Sequence, residues 1–216
     1  VLDEARHDAV LAAIDTVPHW ALVTRLGGRH MDLDAEGMAG LPAAQRAEFE
    51  RRVRAEAKQG FQYLYETYPI YDIWHRGRLR EEAPGLCDLF EAINSPVFLD
   101  VMRDILRRPD IAFADAQLTR YRGGHFLTTH DDGVAGKNRV AAFVLTLSPE
   151  WKKAWGGVLE FYDPDGGVEA ALVPRGNTLS LFKVPHPHAV TTVKPAVKAA
   201  RLSITGWLRT GADPGP

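Results

Sequence analysis

Apolar residues recur three and four positions apart in the first half of the chain, which is the spacing of one face of a helix. Val10, Ile14 and Val17 form such a stripe, and Asp3 precedes it as a candidate N-cap. Further helices are predicted over residues 42–59, along the stripe that starts at Leu86, and onward from Ser95-Pro96. The first half of the chain is therefore predicted to be mainly helical.

An aromatic segment, GFQYLYETYPIYDIW at residues 60–74, interrupts these helices. Its composition predicts a strand or a hairpin. Four tyrosines lie in it, and they have two interpretations, the wall of a peptide groove or packing in the core: Tyr63, Tyr65, Tyr68 and Tyr71. Core packing is the simpler of the two.

The second half reads as short strands separated by turns. The predicted strands are 112–121, 125–130, 139–147, 158–163, 168–173, 178–183, 188–193 and 200–208. DPDGG at 163–167 and PRGN at 174–177 are turn sequences. Strands in succession without crossover helices must pair antiparallel.

We therefore expect an α+β, mainly β fold, with a jelly-roll core (a double-stranded β-helix) braced by N-terminal helices. Residues 1–216 are expected to form a single domain. Residues 1–110 would supply a helical support region plus an aromatic strand, and residues 111–210 would supply the core.

Composition narrows the class of protein without defining a function. The 216 residues are 45% hydrophobic and 25% charged with a formal charge of −2, so no strongly basic nucleic-acid footprint is expected. No apolar run reaches the roughly 18 residues of a membrane span. A single cysteine, Cys87, and no visible signal peptide indicate a cytoplasmic protein, although a leader could have been removed before Val1. Abundant Arg and Ala hint at a bacterial genome, and no heptad predicts an oligomeric state.

A candidate metal site lies in YRGGHFLTTHDD, residues 121–132. Residues two apart on a strand share a face, so the imidazole of His130 and the carboxylate of Asp132 would converge. VPHPHAV at 184–190 offers a further histidine. Two histidines and one carboxylate leave three positions open on an octahedral metal, as in non-haem iron(II) oxygenases. His-x-Asp also occurs by chance, and a histidine on a strand is often a hydrogen-bonded surface group.

A candidate anion-binding residue follows this motif. Arg201 opens the apolar strand RLSITGWL, and a guanidinium matches a carboxylate in geometry and charge. Taken alone, Arg201 would more simply form a salt bridge at the rim of the barrel.

Together these stretches resemble the Fe(II)/2-oxoglutarate-dependent dioxygenases of the prolyl-hydroxylase type, in particular the ribosomal prolyl hydroxylases. The resemblance runs from about residue 116 to 209 and rests on YRGGHFLTTHDD, RVAAFVLTLSPEWKKAWGGVLEFYD, NTLSLFKVPHPHAV and RLSITGWL in that order. The first 110 residues match only as a loosely similar helical support region.

The resemblance implies roles for individual residues. His130, Asp132 and His188 would bind iron, and Arg201 would pair with the distal carboxylate of 2-oxoglutarate. Further contacts to the co-substrate or its pocket are implied for Tyr121, Thr205, Val190 and Trp207. His188 is preferred to His186 because Ala189-Val190 completes the family's His-x-Val pattern, whereas His186 lies between two prolines.

One position departs from the family pattern. Thr146 stands where the relatives carry a tyrosine that helps to hold the 2-oxoglutarate carboxylate. The shorter hydroxyl would act through a water molecule or leave room for another pose of the co-substrate.

The implied activity is hydroxylation of an unactivated C–H bond, in the first instance on a prolyl residue of a protein or peptide. The implied cofactors are Fe(II), 2-oxoglutarate and O₂, with ascorbate as a candidate reductant, and 2-oxoglutarate would be decarboxylated to succinate. The loop at 131–139 is a candidate mobile cover for the site.

Other functions remain open at this point. They are hydroxylation of a free amino acid or small metabolite, a cupin-like metalloenzyme without 2-oxoglutarate, and a binding module with a vestigial metal site. A nucleic-acid repair dioxygenase is disfavoured, because Arg201 and Arg209 lie eight apart rather than in an R-x5-R pattern.

Overall fold

The computed structural model describes residues 1–215. Its helices are α1 (Glu4–Asp15), α2 (Ala35–Gly40), α3 (Ala43–Ala57), α4 (Ile70–His75), α5 (Leu79–Glu82), α6 (Pro84–Ile93) and α7 (Pro96–Leu106), with a 3₁₀ turn at Lys153–Trp155. Its strands are β1 (Ala21–Leu26), β2 (Arg29–Asp34), β3 (Tyr63–Tyr68), β4 (Ile111–Ala114), β5 (Gln117–Tyr121), β6 (Phe126–His130), β7 (Arg139–Thr146), β8 (Leu159–Tyr162), β9 (Val168–Leu172), β10 (Thr178–Lys183), β11 (His188–Val190) and β12 (Arg201–Thr210).

The helices begin where the sequence places their caps. The carboxylate of Asp3 accepts a hydrogen bond from the backbone N–H of Arg6 at 2.8 Å, which caps α1. The hydroxyl of Ser95 accepts from the N–H of Phe98 at the start of α7. The helices predicted from the apolar stripes are thereby confirmed.

The strands form one curled antiparallel sheet in the order β10-β7-β12-β5-β3-β6-β11-β8-β9. The eight strands β5 to β12 build the predicted jelly roll, so the predicted fold class is confirmed. Two predicted boundaries were wrong. The strand predicted at 112–121 is split into β4 and β5, and the strand predicted at 188–193 ends at Val190.

The N-terminal half supplies more of the sheet than its helical pattern suggests. Strand β3 lies between β5 and β6 and joins the two layers of the jelly roll. The aromatic segment is therefore a strand only over Tyr63–Tyr68, and it continues into α4 after Pro69. The hairpin β1–β2, which pairs with β3, was not predicted. Its turn is Gly27-Gly28, both with positive φ, and such a glycine pair is a recognisable hairpin signal.

The two faces of the sheet have different roles. The helices pack on one face around side chains that are almost fully buried, among them Leu86, Leu118 and Leu208. The other face encloses a smaller apolar cluster that includes Tyr121, Val144 and Val190. Among residues 1–215, no helix combines the length and hydrophobicity needed to cross a membrane.

Candidate metal centre and its cavity

Three metal-ligating side chains converge on the inner face of the jelly roll. His130 ends β6, His188 begins β11, and the two residues pair directly across these strands. Oxygen atoms Oδ1 and Oδ2 of Asp132 lie 3.3 Å from Nε2 of His130 and 3.4 Å from Nε2 of His188. The three potential ligand atoms lie within 4.8 Å of one another, which is the compactness that one metal ion needs.

Both imidazoles are held through the nitrogen that does not face the centre. Nδ1 of His130 donates to the carbonyl oxygen of Thr128 at 3.1 Å, and Nδ1 of His188 donates to that of His186 at 2.8 Å. These bonds leave a lone pair on each Nε2 of the neutral rings. Two imidazole lone pairs then face a carboxylate that can only accept, so a cation fits between them.

The position of the Asp132 carboxylate does not follow from the alternation of side chains along a strand. Strand β6 ends at His130, so Asp132 does not lie on the strand face with it. Instead Asp132 adopts φ 62°, a left-handed conformation that is rare outside glycine and is found at functional sites. The predicted convergence is therefore present, but its predicted cause was wrong.

The electrostatics of the centre favour the ligating forms of these residues. Burial lowers the pKa of His188 to about 4. Burial on its own would raise the pKa of Asp132, but the neighbouring histidines lower it below its usual range. At neutral pH, His188 is therefore a neutral imidazole and Asp132 a carboxylate, which are the forms that bind metal.

The second histidine of VPHPHAV lies outside this cluster. Nε2 of His186 is 3.3 Å from a carboxylate oxygen of Glu169, and its backbone carbonyl fixes the ring of His188. The structure thus brings His188, and not His186, to His130 and Asp132.

A cavity of about 500 Å³ extends from the three ligands into the barrel, and Arg201 lines it. Arg201 is 2% exposed and lies opposite Tyr121 across β12 and β5, with its guanidinium carbon 5.3 Å from the centre of the tyrosine ring. Within residues 1–215, no acidic side chain pairs with Arg201, and its Nε has no hydrogen-bond partner. Burial lowers the pKa of Arg201, because desolvation disfavours the charged guanidinium.

The other residues predicted for the co-substrate pocket divide into two groups. The structure places Tyr121, Val190, Thr205 and Trp207 in the cavity wall. Thr146 is instead 4% exposed and lies opposite Ser203, outside the side chains that line the cavity.

Ser203 is a residue that sequence reasoning missed. It is two residues from Arg201 on β12, so it shares a face of the strand with the guanidinium. Its hydroxyl is buried and, among the described residues, has no partner. Like Thr146, however, Ser203 is not among the side chains that line the cavity.

The tyrosines of the aromatic segment divide between the cavity wall and the core. Tyr63 and Tyr65 line the cavity, and Tyr65 stacks on Tyr121 with 5.0 Å between ring centres. Tyr68 and Tyr71 lie in the core between the sheet and the helices. Phe61 is 42% exposed, lines the same cavity, and its ring centre is 5.5 Å from that of His130.

A second arginine in the cavity wall was also missed. Arg139 stacks on Trp207, with 3.5 Å between the guanidinium carbon and the centre of the indole ring. Its Nε is buried and has no hydrogen-bond partner within the described part of the chain. Arg209 is different, because its guanidinium pairs with Asp115 at 3.3 Å.

Comparison with known proteins agrees with this geometry. Residues 116–209 match the family model of the 2OG-Fe(II) oxygenase superfamily. The chain is 38% identical over 100 residues to prolyl 3-hydroxylase OGFOD1 of Xenopus laevis. That match covers 43% of this chain and 19% of the frog protein, so the chain spans less than a fifth of this relative's length.

Solved structures share the fold. A prolyl-4-hydroxylase of Pseudomonas putida superposes with a TM-score of 0.55 at 18% identity, covering 94% of this chain and 100% of that one. An oxidoreductase of the 2OG-Fe(II) oxygenase family from Burkholderia pseudomallei gives a TM-score of 0.60 at 12% identity, covering 100% and 84%. The enzyme class and the cofactors predicted from the sequence are thus confirmed at the level of the family. Residues 116–209 thus match the 2OG-Fe(II) oxygenase superfamily, whose cofactors are Fe(II), 2-oxoglutarate and O₂, and the cluster of His130, Asp132 and His188 fits the iron.

Proposed function

We propose that this protein hydroxylates an unactivated C–H bond of a prolyl residue in a polypeptide, while it decarboxylates 2-oxoglutarate to succinate. One observation carries the proposal. A single cavity contains a two-histidine, one-carboxylate centre and, apart from it, the buried guanidinium of Arg201. A metal-chelating 2-oxo acid with a second carboxylate satisfies both.

The residues then have distinct roles. His130, Asp132 and His188 would hold Fe(II), which when bound supplies the activation of O₂ that the hydroxylation requires. Arg201 would bind the distal carboxylate of 2-oxoglutarate. Tyr121 and Val190 would exclude water, so that the ion pair forms in a medium of low dielectric constant.

The mouth of the cavity supports a polypeptide substrate. Phe61 and Val134 present exposed apolar surface there, and Tyr63 connects the mouth to hairpin β1–β2 through a 2.6 Å hydrogen bond with His30. The guanidinium of Arg25 lies 5.4 Å from the centre of the Phe61 ring. This extended aromatic surface fits a chain that continues on both sides of the reacting residue better than it fits a free amino acid.

One observation favours a free amino acid instead. Arg139 lines the cavity with a buried Nε that has no partner among residues 1–215, and it could pair with the carboxylate of such a substrate. In a polypeptide complex, the same donor would bind a backbone carbonyl oxygen. The two substrate classes therefore predict opposite outcomes in one experiment.

The test is to incubate the Fe(II)-loaded protein with 2-oxoglutarate, O₂ and ascorbate, and to offer proline-containing peptides and free amino acids separately. Mass spectrometry should find one added oxygen in a peptide, with one succinate formed per hydroxylation. The Asp132→Ala variant should give neither product. Oxygen added only to free amino acids would contradict the polypeptide proposal. Loss of succinate formation with every substrate, in protein shown to bind iron, would contradict the dioxygenase activity itself.

A further inference from the structure

The loop between β7 and β8 lies against Arg201, the first residue of β12. It is pinned by its own hydrogen bonds. Nε1 of Trp151 donates to the carbonyl of Gly156 at 2.7 Å, and the N–H of Gly157 donates to the carbonyl of Thr191 at 3.0 Å. The N–H of Lys194 donates to the carbonyl of Trp155 at 2.8 Å. These hydrogen bonds fix the position of the loop, which we call the roof.

Gly157 is the point at which the roof meets Arg201. It has φ +66°, and a β-carbon there would lie 3.2 Å from Cδ of Arg201, 3.2 Å from Cζ2 of Trp151 and 3.1 Å from Cγ2 of Val193. Three side chains thus crowd one bare α-carbon, which explains why glycine is needed. The aliphatic stem of Arg201, the indole of Trp151 and the side chain of Val193 therefore lie together against the bare face of Gly157.

The packing around the stem of Arg201 affects the direction in which its guanidinium points. Among the described residues no carboxylate fixes its guanidinium, so its direction depends on the apolar groups around its stem. Trp151 packs against the apolar cluster that includes Tyr121, Val144 and Val190, and these three residues also line the cavity. A long side chain without a partner would otherwise sample several rotamers and admit water.

We propose that Trp151 is a positioning residue for co-substrate binding: it holds the stem of Arg201 over Gly157, so that the guanidinium stays dry and points into the cavity. The inference rests on the proposed use of 2-oxoglutarate and adds the residue that sets its affinity. Trp151 does so without touching the bound carboxylate itself.

The test is a double-mutant cycle on the Mn(II)-loaded protein, with 2-oxoglutarate binding measured by calorimetry. Trp151→Ala should weaken 2-oxoglutarate binding about tenfold or more and leave Mn(II) affinity unchanged. In an Arg201→Met background, the same substitution should have almost no further effect. Trp74→Ala, which removes a partly exposed indole from α4, is the size-matched control and should behave as wild type. Trp151→Phe, which keeps an aromatic ring in the roof, should recover most of the affinity.

A second ligand separates positioning from general damage. 2-Oxopentanoate carries a methyl group in place of the distal carboxylate, so its affinity should be equal in wild type and in Trp151→Ala. Equal weakening of both ligands, or unchanged 2-oxoglutarate affinity, would overturn the inference. If Trp151→Ala does not bind Mn(II), Trp151→Leu takes its place with the same criteria. Failure of Mn(II)-loaded wild type to bind 2-oxoglutarate would instead contradict the proposed function.

Discussion

The two ends of the cavity differ in how the protein pairs their charged and polar groups. At the metal end, Asp132 faces two imidazoles, and each imidazole is anchored on a backbone carbonyl, so the charges and hydrogen bonds are organised by the protein alone. At the other end, within the described chain, Arg201 is a buried cation for which the protein supplies no counter-ion. The first end is complete once a metal ion binds, whereas the second requires an anionic ligand.

The difference indicates that Arg201 lowers the stability of the ligand-free fold and serves ligand binding instead. An unpaired buried charge destabilises the folded state, and within the described chain no ion pair at Arg201 offsets that cost. The cost is recovered only when a carboxylate arrives, and it then contributes to affinity because the site is already desolvated. Strain at Asp132, with its positive φ, serves the metal end in the same way.

The largest expected effect is at the metal end. Asp132→Ala removes the only carboxylate of the three ligands, so Mn(II) affinity should fall by at least about a hundredfold, more than the loss of a residue that merely supports a ligand. His186→Ala is the matched control. Its side chain pairs with Glu169, and only its backbone carbonyl supports His188, so metal affinity should be nearly unchanged. Equal losses in the two variants would show that the ligand set is misassigned.

At the other end, the expected effect is on the co-substrate alone. Arg201→Met removes the guanidinium and keeps a long apolar stem, so the affinity of the Mn(II)-loaded protein for 2-oxoglutarate should fall about a hundredfold, the value of roughly 2.7 kcal/mol expected for a charged pair. Mn(II) affinity measured without 2-oxoglutarate should stay as in wild type. A parallel loss of both affinities would mean that the two ends do not act separately.

The same substitution should also reveal the cost of the buried charge. Without ligands, Arg201→Met should raise the free energy of unfolding by about 1 kcal/mol or more, which corresponds to roughly 2–4 °C in Tm for a chain of this size. Arg209→Met is the contrasting control, because it leaves Asp115 buried without its partner and should destabilise the fold by about 3 kcal/mol. Thermal and urea unfolding would measure both. Destabilisation by both substitutions would contradict the contrast between the ends.

Acid should act on the metal end and not on Arg201. Because burial lowers the pKa of His188 to about 4, the unfolded chain takes up a proton between about pH 6.5 and 4 that the folded chain does not. The free energy of unfolding should therefore fall as the pH falls through this window, by up to about 1.4 kcal/mol per pH unit for each such histidine.

His125 must be separated from this effect, since burial lowers its pKa to about 4 as well. His188→Gln should therefore reduce the slope of stability against pH by about half, and His125→Gln should remove a similar share. Urea unfolding of the metal-free protein at a series of pH values is the measurement. An unchanged slope in His188→Gln would contradict the assignment.

Local sequence signals were sufficient for much of this site. His130, Asp132 and Arg201 stand in short motifs whose order resembles the family, and His188 was preferred because it completes the family's His-x-Val pattern while prolines flank His186. The antiparallel pairing of these strands followed from the succession of short strands without helices between them, but their order in the sheet did not.

The remaining features depend on tertiary contacts that no local pattern records. Strand β3 enters the sheet between β5 and β6, so Tyr65 reaches Tyr121 only through the fold. Arg139 and Ser203 became visible because their buried donors have no partners among residues 1–215. The strand argument for Asp132 failed because a left-handed residue, and not strand alternation, aims its carboxylate.

The most direct test of the central claim, that one ligand joins both ends of the cavity, is the visible charge-transfer absorption formed when Fe(II) and 2-oxoglutarate are added without oxygen. Wild type should develop the band. Asp132→Ala should not develop it at any 2-oxoglutarate concentration, and Arg201→Met should need about a hundredfold more 2-oxoglutarate. A band that appears in Arg201→Met at the wild-type concentration would show that Arg201 does not hold the distal carboxylate, and would contradict the account.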